Sequence, residues 1–165
     1  MKNILRTFTI PVAIFLLLCN ASCKKDNPET TSSTTNTNNN NPCNYTTNVI
    51  VVGGTVKNIN SSSCSGNASN YTSEHYADAA HAEGITMIFD GALAPNAGSY
   101  TAINTVPVPA GKVYVEYFET TNAYQPSAGT VTVADSGSSK IFSFCNLSLT
   151  NGSSTKTISV RATCN

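Results

Sequence analysis

The chain has 165 residues, 40% hydrophobic and 11% charged, with a formal net charge of zero. So balanced a charge argues against the clustered Lys/Arg surface that nucleic acid and anionic membranes require. Six cysteines point to disulfides and an oxidising compartment.

In chain order, Lys2 and Arg6 precede an apolar run, Phe8 to Leu18, broken only by Thr9 and Pro11. A membrane-spanning helix needs about 20 apolar residues, so 1–22 is expected to be a secretory signal peptide. Its end, "LLLCNASCKKDN", offers two cysteines. Leucines before Cys19 are too bulky for a signal peptidase, whereas Ala21 and Ser22 before Cys23 are small. The pattern resembles the lipobox of bacterial lipoproteins, with Asn20 where that family usually has leucine. The resemblance implies diacylglycerol on the Cys23 sulfur; an ordinary secretory signal with a bystander cysteine is the alternative. "CKKD" is similar to the start of many Bacteroidota lipoproteins, which implies an outer-membrane, lipid-anchored address and leaves surface-exposed and periplasmic orientation both open. The membrane is then a partner through the N-terminal lipid.

Residues 23–42 form an Asn/Thr/Ser-rich tether. From Asn27 to Pro42 it contains no aliphatic or aromatic side chain, so burial cannot offset its ordering entropy. Fully extended, it reaches about 60 Å at ~3.3 Å per residue.

Residues 43–165 suffice for one domain with one core. They carry five basic and seven acidic residues, a net of −2 with histidine neutral. Apolar and polar residues alternate with a period of two in "KVYVEYFE", "GTVTVAD" and "KTISVRATC". That period places one set on the core face of a sheet. Similar runs occur at 48–58, 85–90, 98–103 and 140–149, separated by "APNAG", "PVPAG", "QPSAG", "DSGSS" and "NGSS". The expected fold is all-β: a single antiparallel β-sandwich, Ig-like, of about seven strands, with a small barrel as the alternative. "SEHYADAAHAEG", 73–84, leaves helix, loop and strand open; Ser73 suits a helix cap and Gly84 a stop.

Cutting before Cys23 leaves Cys43, Cys64, Cys145 and Cys164, an even set with three possible pairings. Apolar faces shared with Leu147 and Val160 favour Cys145–Cys164 on a terminal hairpin, leaving Cys43–Cys64. Cys43 with Cys164 is the alternative. No CxxC spacing exists to suggest zinc.

"AGSYTAI", "VYVEYF", "SAGTVTVAD" and "KIFSFCNLSL" resemble uncharacterised β-sandwich domains of Bacteroidota lipoproteins, over roughly 85–165. The resemblance implies the sandwich and the surface address, and supplies no catalytic or binding residues.

Candidate chemistry is sparse. Both histidines lie in 73–84. On a helix, Glu74, Asp78 and His81 would fall within about 60° of one another at ~100° per residue, with His75 beside Asp78. His75, Asp78 and His81 are therefore a candidate metal set or acid/base cluster. On a strand the cluster dissolves. No GxSxG elbow is present, and Glu116 and Glu119 would point to opposite faces of a strand. Seven tyrosines offer stacking surfaces, though tryptophan is lacking. The Asn-x-Ser/Thr triplets match the chain's Asn/Ser/Thr-rich composition. The expected function is a non-catalytic binding or structural surface module, without a cofactor, meeting a protein or glycan partner. The alternatives are a carbohydrate-binding accessory of a glycan-uptake system and a small metal-dependent enzyme using His75 and His81.

Overall fold

The computed structural model describes residues 44–45 and 48–165. The expected signal peptide, Cys23, the tether and Cys43 lie outside the described residues. Among the described residues there are eleven strands and no helix. The strands are β1 (Val49–Val52), β2 (Thr55–Asn58), β3 (Ser61–Gly66), β4 (Asn70–Tyr76), β5 (Glu83–Asp90) and β6 (Gly98–Ile103). They continue with β7 (Lys112–Glu119), β8 (Asn122–Pro126), β9 (Thr130–Ser136), β10 (Ser139–Thr150) and β11 (Thr155–Cys164).

The all-β expectation holds, but the strand count exceeds seven and the sheet is mixed. All eleven strands belong to one sheet in the order β2-β1-β11-β10-β9-β6-β7-β5-β4-β3, with β8 pairing both β10 and β7. Its one parallel pair among the described residues is β6 with β7. The expected 48–58 strand is instead a hairpin, because Gly53 and Gly54 both have positive φ and turn the chain between β1 and β2. β10 is long enough to pair β9 through Ser139–Ser143 and β8 through Leu149 and Thr150.

Alternation builds the core. Val113, Val115 and Tyr117 of β7 are fully buried, as are Ile85 and Met87 of β5 and Ile158 and Ala162 of β11. Phe142 of β10 packs its ring 5.4 Å from Phe89 of β5 and 6.5 Å from Tyr71 of β4. Because β8 pairs both β7 and β10, the path β10-β9-β6-β7-β8 closes on itself, and the curled sheet surrounds these side chains. Each large apolar side chain fully buried this way contributes about 1.5–3 kcal/mol.

A bulge interrupts the β10–β11 ladder between Phe144 and Leu147. Asn146 sits there at φ 50°, a left-handed conformation that asparagine tolerates. Its amide donates to the buried Ser159 Oγ at 2.8 Å.

The 73–84 stretch is strand and turn, with no helix. β4 runs to Tyr76, the chain turns through 77–82, and β5 begins at Glu83. Asp78 Oδ1 accepts from the Ala82 amide at 2.9 Å, and the Ala77 amide bonds Glu83 O at 2.9 Å. Gly84 is buried opposite Phe118. A Cβ on Gly84 would lie 2.5 Å from His75 O and 2.8 Å from Phe118 Cζ.

Candidate functional site

Strand geometry separates the histidines. Residues 73 and 75 of β4 face the core, while Glu74 and Tyr76 face the other way. His75 is fully buried. His81, in the turn, is exposed and stacks on Tyr76 with ring centroids 4.0 Å apart. Its Nε2 lies 3.2 Å from Ser61 Oγ. Asp78 is committed to the turn. The expected set of His75, Asp78 and His81 therefore does not converge, and the enzyme reading built on it has no shared site.

His75 instead belongs to a cluster that sequence reasoning missed. Its Nδ1 lies 2.7 Å from Ser62 Oγ of β3, and its Nε2 lies 2.6 Å from Ser73 Oγ. Cys164 Sγ of β11 is 3.3 Å from Ser73 Oγ and 3.9 Å from His75 Nε2. Cys64 Sγ lies 3.9 Å from Ser73 Oγ. With both ring nitrogens partnered, burial pushes the imidazole pKa down to about 4, so the ring is neutral near pH 7.

Cys64 and Cys164 form a disulfide with Cα atoms 5.9 Å apart. This replaces both favoured pairings. The β10–β11 register places Cys164 opposite Lys140, five residues from Cys145. At ~3.3 Å per residue that separation is about 16 Å, far beyond disulfide reach. Cys64 is already bonded to Cys164, so it cannot pair with Cys43. Cys145 is disulfide-bonded too, and its partner lies outside the described residues.

A second polar network joins β2, β5, β7, β8 and β11. Tyr117 OH donates to Glu83 at 2.5 Å and lies 3.1 Å from Glu119. Lys57 pairs with Glu83 at 2.5 Å and Lys156 with Glu119 at 2.9 Å. Burial and the Glu83 carboxylate hold the Tyr117 hydroxyl far above its usual range. The Lys156 hydrogen bond holds the Glu119 carboxyl below the usual carboxylate range. Glu116, on the other face, takes a hydrogen bond from Tyr114, whose hydroxyl burial and Glu116 push up to about 12. The opposite facing of Glu116 and Glu119 is as expected.

Two clefts open between loops. One of about 340 Å³ is lined by Asp90, Asn96, Tyr100 and Lys112, with Leu93 and Pro95 beside them. Its Tyr100 hydroxyl is anchored to Asn96 O at 2.9 Å, and its ring meets Phe89 edge-on at 5.1 Å. The other, about 350 Å³, includes Asn104, Gln125, Ser127 and Asn151.

Comparison with models of known families, with curated proteins and with solved structures finds no match. Among the described residues no helix is long and apolar enough to cross a membrane.

Proposed function

We propose that this chain is a lipid-anchored cell-envelope protein of the Bacteroidota lipoprotein kind. Its domain is a two-layer, Ig-like β-sandwich acting as a non-catalytic binding module at the surface. Cys23, following Ala21 and Ser22, supports the anchor. The packing of Phe142 on Phe89 and Tyr71 supports a core enclosed between strands of one curled sheet, as a sandwich would have it.

The observation that carries the binding reading is the cleft of about 340 Å³. It falls in the size range of small-ligand sites. Asp90, Asn96, Lys112 and Tyr100 line it, and the Tyr100 ring is held edge-on by Phe89. The carbohydrate-binding alternative draws on the same tyrosine, which offers a ring to stack on a sugar and polar neighbours for its hydroxyls. A glycan array probed with the full chain tests this. Retention that Tyr100→Ala abolishes, with the β-sheet spectrum intact, is expected. Retention unaffected by Tyr100→Ala, or cleavage of the arrayed glycan, would contradict it.

A further inference from the structure

The Cys64, His75 and Cys164 side chains each offer one ligand atom, all within 4.8 Å of one another. We propose that, once the Cys64–Cys164 disulfide is reduced, the two thiolates and His75 Nε2 bind one thiophilic dication, zinc in the first instance. The site then alternates between a disulfide and a metal centre. This inference is independent of the cleft and of any ligand bound there.

The geometry is close to what zinc requires. Zn–S bonds of ~2.3 Å and Zn–N bonds of ~2.0 Å set tetrahedral ligand atoms about 3.5–3.8 Å apart. Cys164 Sγ is 3.9 Å from His75 Nε2. The two sulfurs must separate, and Cys64 sits on β3, an edge strand bonded through its ladder to β4 alone. A small outward shift of that edge makes the room. Cys64 is also only part-buried, which gives reductant and metal a way in.

The surroundings suit a ligating imidazole. With the proton on Nδ1, Ser62 Oγ at 2.7 Å accepts it. Metal-bound histidines are usually held by such a partner. The Nε2 lone pair then takes the Ser73 hydroxyl at 2.6 Å, with Cys164 Sγ next at 3.9 Å; that hydroxyl turns aside when Nε2 ligates. Ser73 Oγ lies 2.6 Å from Nε2, 3.3 Å from Cys164 Sγ and 3.9 Å from Cys64 Sγ. It lies near all three ligand atoms, and at 2.6 Å it is too close to Nε2 to be a co-ligand where it stands, so a water entering as this hydroxyl turns aside would supply the fourth ligand. Two thiolates cancel the charge of a dication, so the occupied site is neutral inside the core. Soft sulfur ligands select zinc over magnesium or calcium.

The chemistry balances with a dithiol as reductant. The dithiol gives two electrons and two protons to the Cys64–Cys164 bond and becomes a disulfide, leaving two cysteine thiols. Zinc then displaces both thiol protons to solvent.

The test uses the full chain, reduced anaerobically with dithiothreitol, freed of reductant and titrated with zinc or cobalt(II). Elemental analysis should find one zinc per reduced chain and none on the oxidised chain. Cobalt should give thiolate charge-transfer absorption and tetrahedral visible bands. C64S/C164S should lose both signals. Ser62→Ala, at an exposed edge position, should weaken zinc binding about 10–100-fold while keeping the cobalt spectrum. Three results would overturn the proposal. One is zinc no higher on the reduced than on the oxidised chain. Another is equal zinc on C64S/C164S, which would place it on other thiols. The third is a reduced chain that loses its β spectrum and does not regain it with zinc.

Discussion

Cys64 and Cys164 are 100 residues apart in sequence, yet their Cα atoms lie 5.9 Å apart. They belong to β3 at one end of the strand order and β11 near the other. Their bond therefore fastens the fold where no ladder of backbone hydrogen bonds runs. A cross-link closing a loop of this size restricts the unfolded chain strongly. C64S/C164S is expected to stay folded and to lose about 2–5 kcal/mol in urea unfolding. A loss below about 1 kcal/mol would show that packing alone holds β3 against β11.

His75 gives a pH signature. Its folded pKa is lowered to about 4 from an unfolded value of 6.5, chiefly by burial. The unfolded chain thus binds a proton that the folded chain refuses. The stability contribution is complete above about 6.5 and is lost as pH falls from there to about 4, amounting to about 3 kcal/mol. Glu119, whose folded pKa is also lowered, contributes stability above its unfolded value of 4.5 and loses it below. Urea midpoints measured across pH 7 to 4 should fall in wild type and fall less in His75→Gln. Parallel curves would refute the assignment to His75.

The bulge at Asn146 predicts an unusual tolerance. With φ at 50°, Asn146→Gly should cost little, whereas Asn146→Val should cost about 1–2 kcal/mol. Ser159→Ala removes the acceptor of the Asn146 amide, which water can partly replace at this exposed residue, and should cost about 0.5–1.5 kcal/mol. Thermal melts of the three variants would check the order.

Tyr117→Phe removes the hydroxyl between Glu83 and Glu119 without changing the ring packed among the core strands. Hydrogen bonds to charged acceptors are worth about 1.5–3 kcal/mol, and a loss of that order is expected by chemical denaturation. No loss would mean that Lys57 and Lys156 satisfy both carboxylates alone.

Much of the fold is legible where one face is apolar. Ile158, Val160, Ala162 and Cys164 alternate in the sequence and all are buried in β11. β3 is different: four of its six residues are serine, and it lies at the sheet edge with most of its surface exposed. Its pairing rests on backbone hydrogen bonds, which leave no hydrophobic pattern. In β4 the period of two is present, but its inward positions are Tyr71, Ser73 and His75. Ser73 and His75 can be inside because they hydrogen-bond each other, a fact that only the fold supplies. Of the disulfides, only the exclusion was readable: with a four-residue "NGSS" loop Thr150 opposes Thr155, and counting back along both strands separates Cys145 from Cys164, while the choice of Cys64 as the partner of Cys164 needs the position of β3.

The proposed anchor is a lipid on Cys23 that holds the domain at the envelope. Mass spectrometry of the protein extracted from membranes of its native host tests it most directly. An N-terminal peptide beginning at Cys23 and carrying a diacylglycerol-type mass on that residue is expected. A mature chain that begins elsewhere, or an unmodified Cys23, would contradict it.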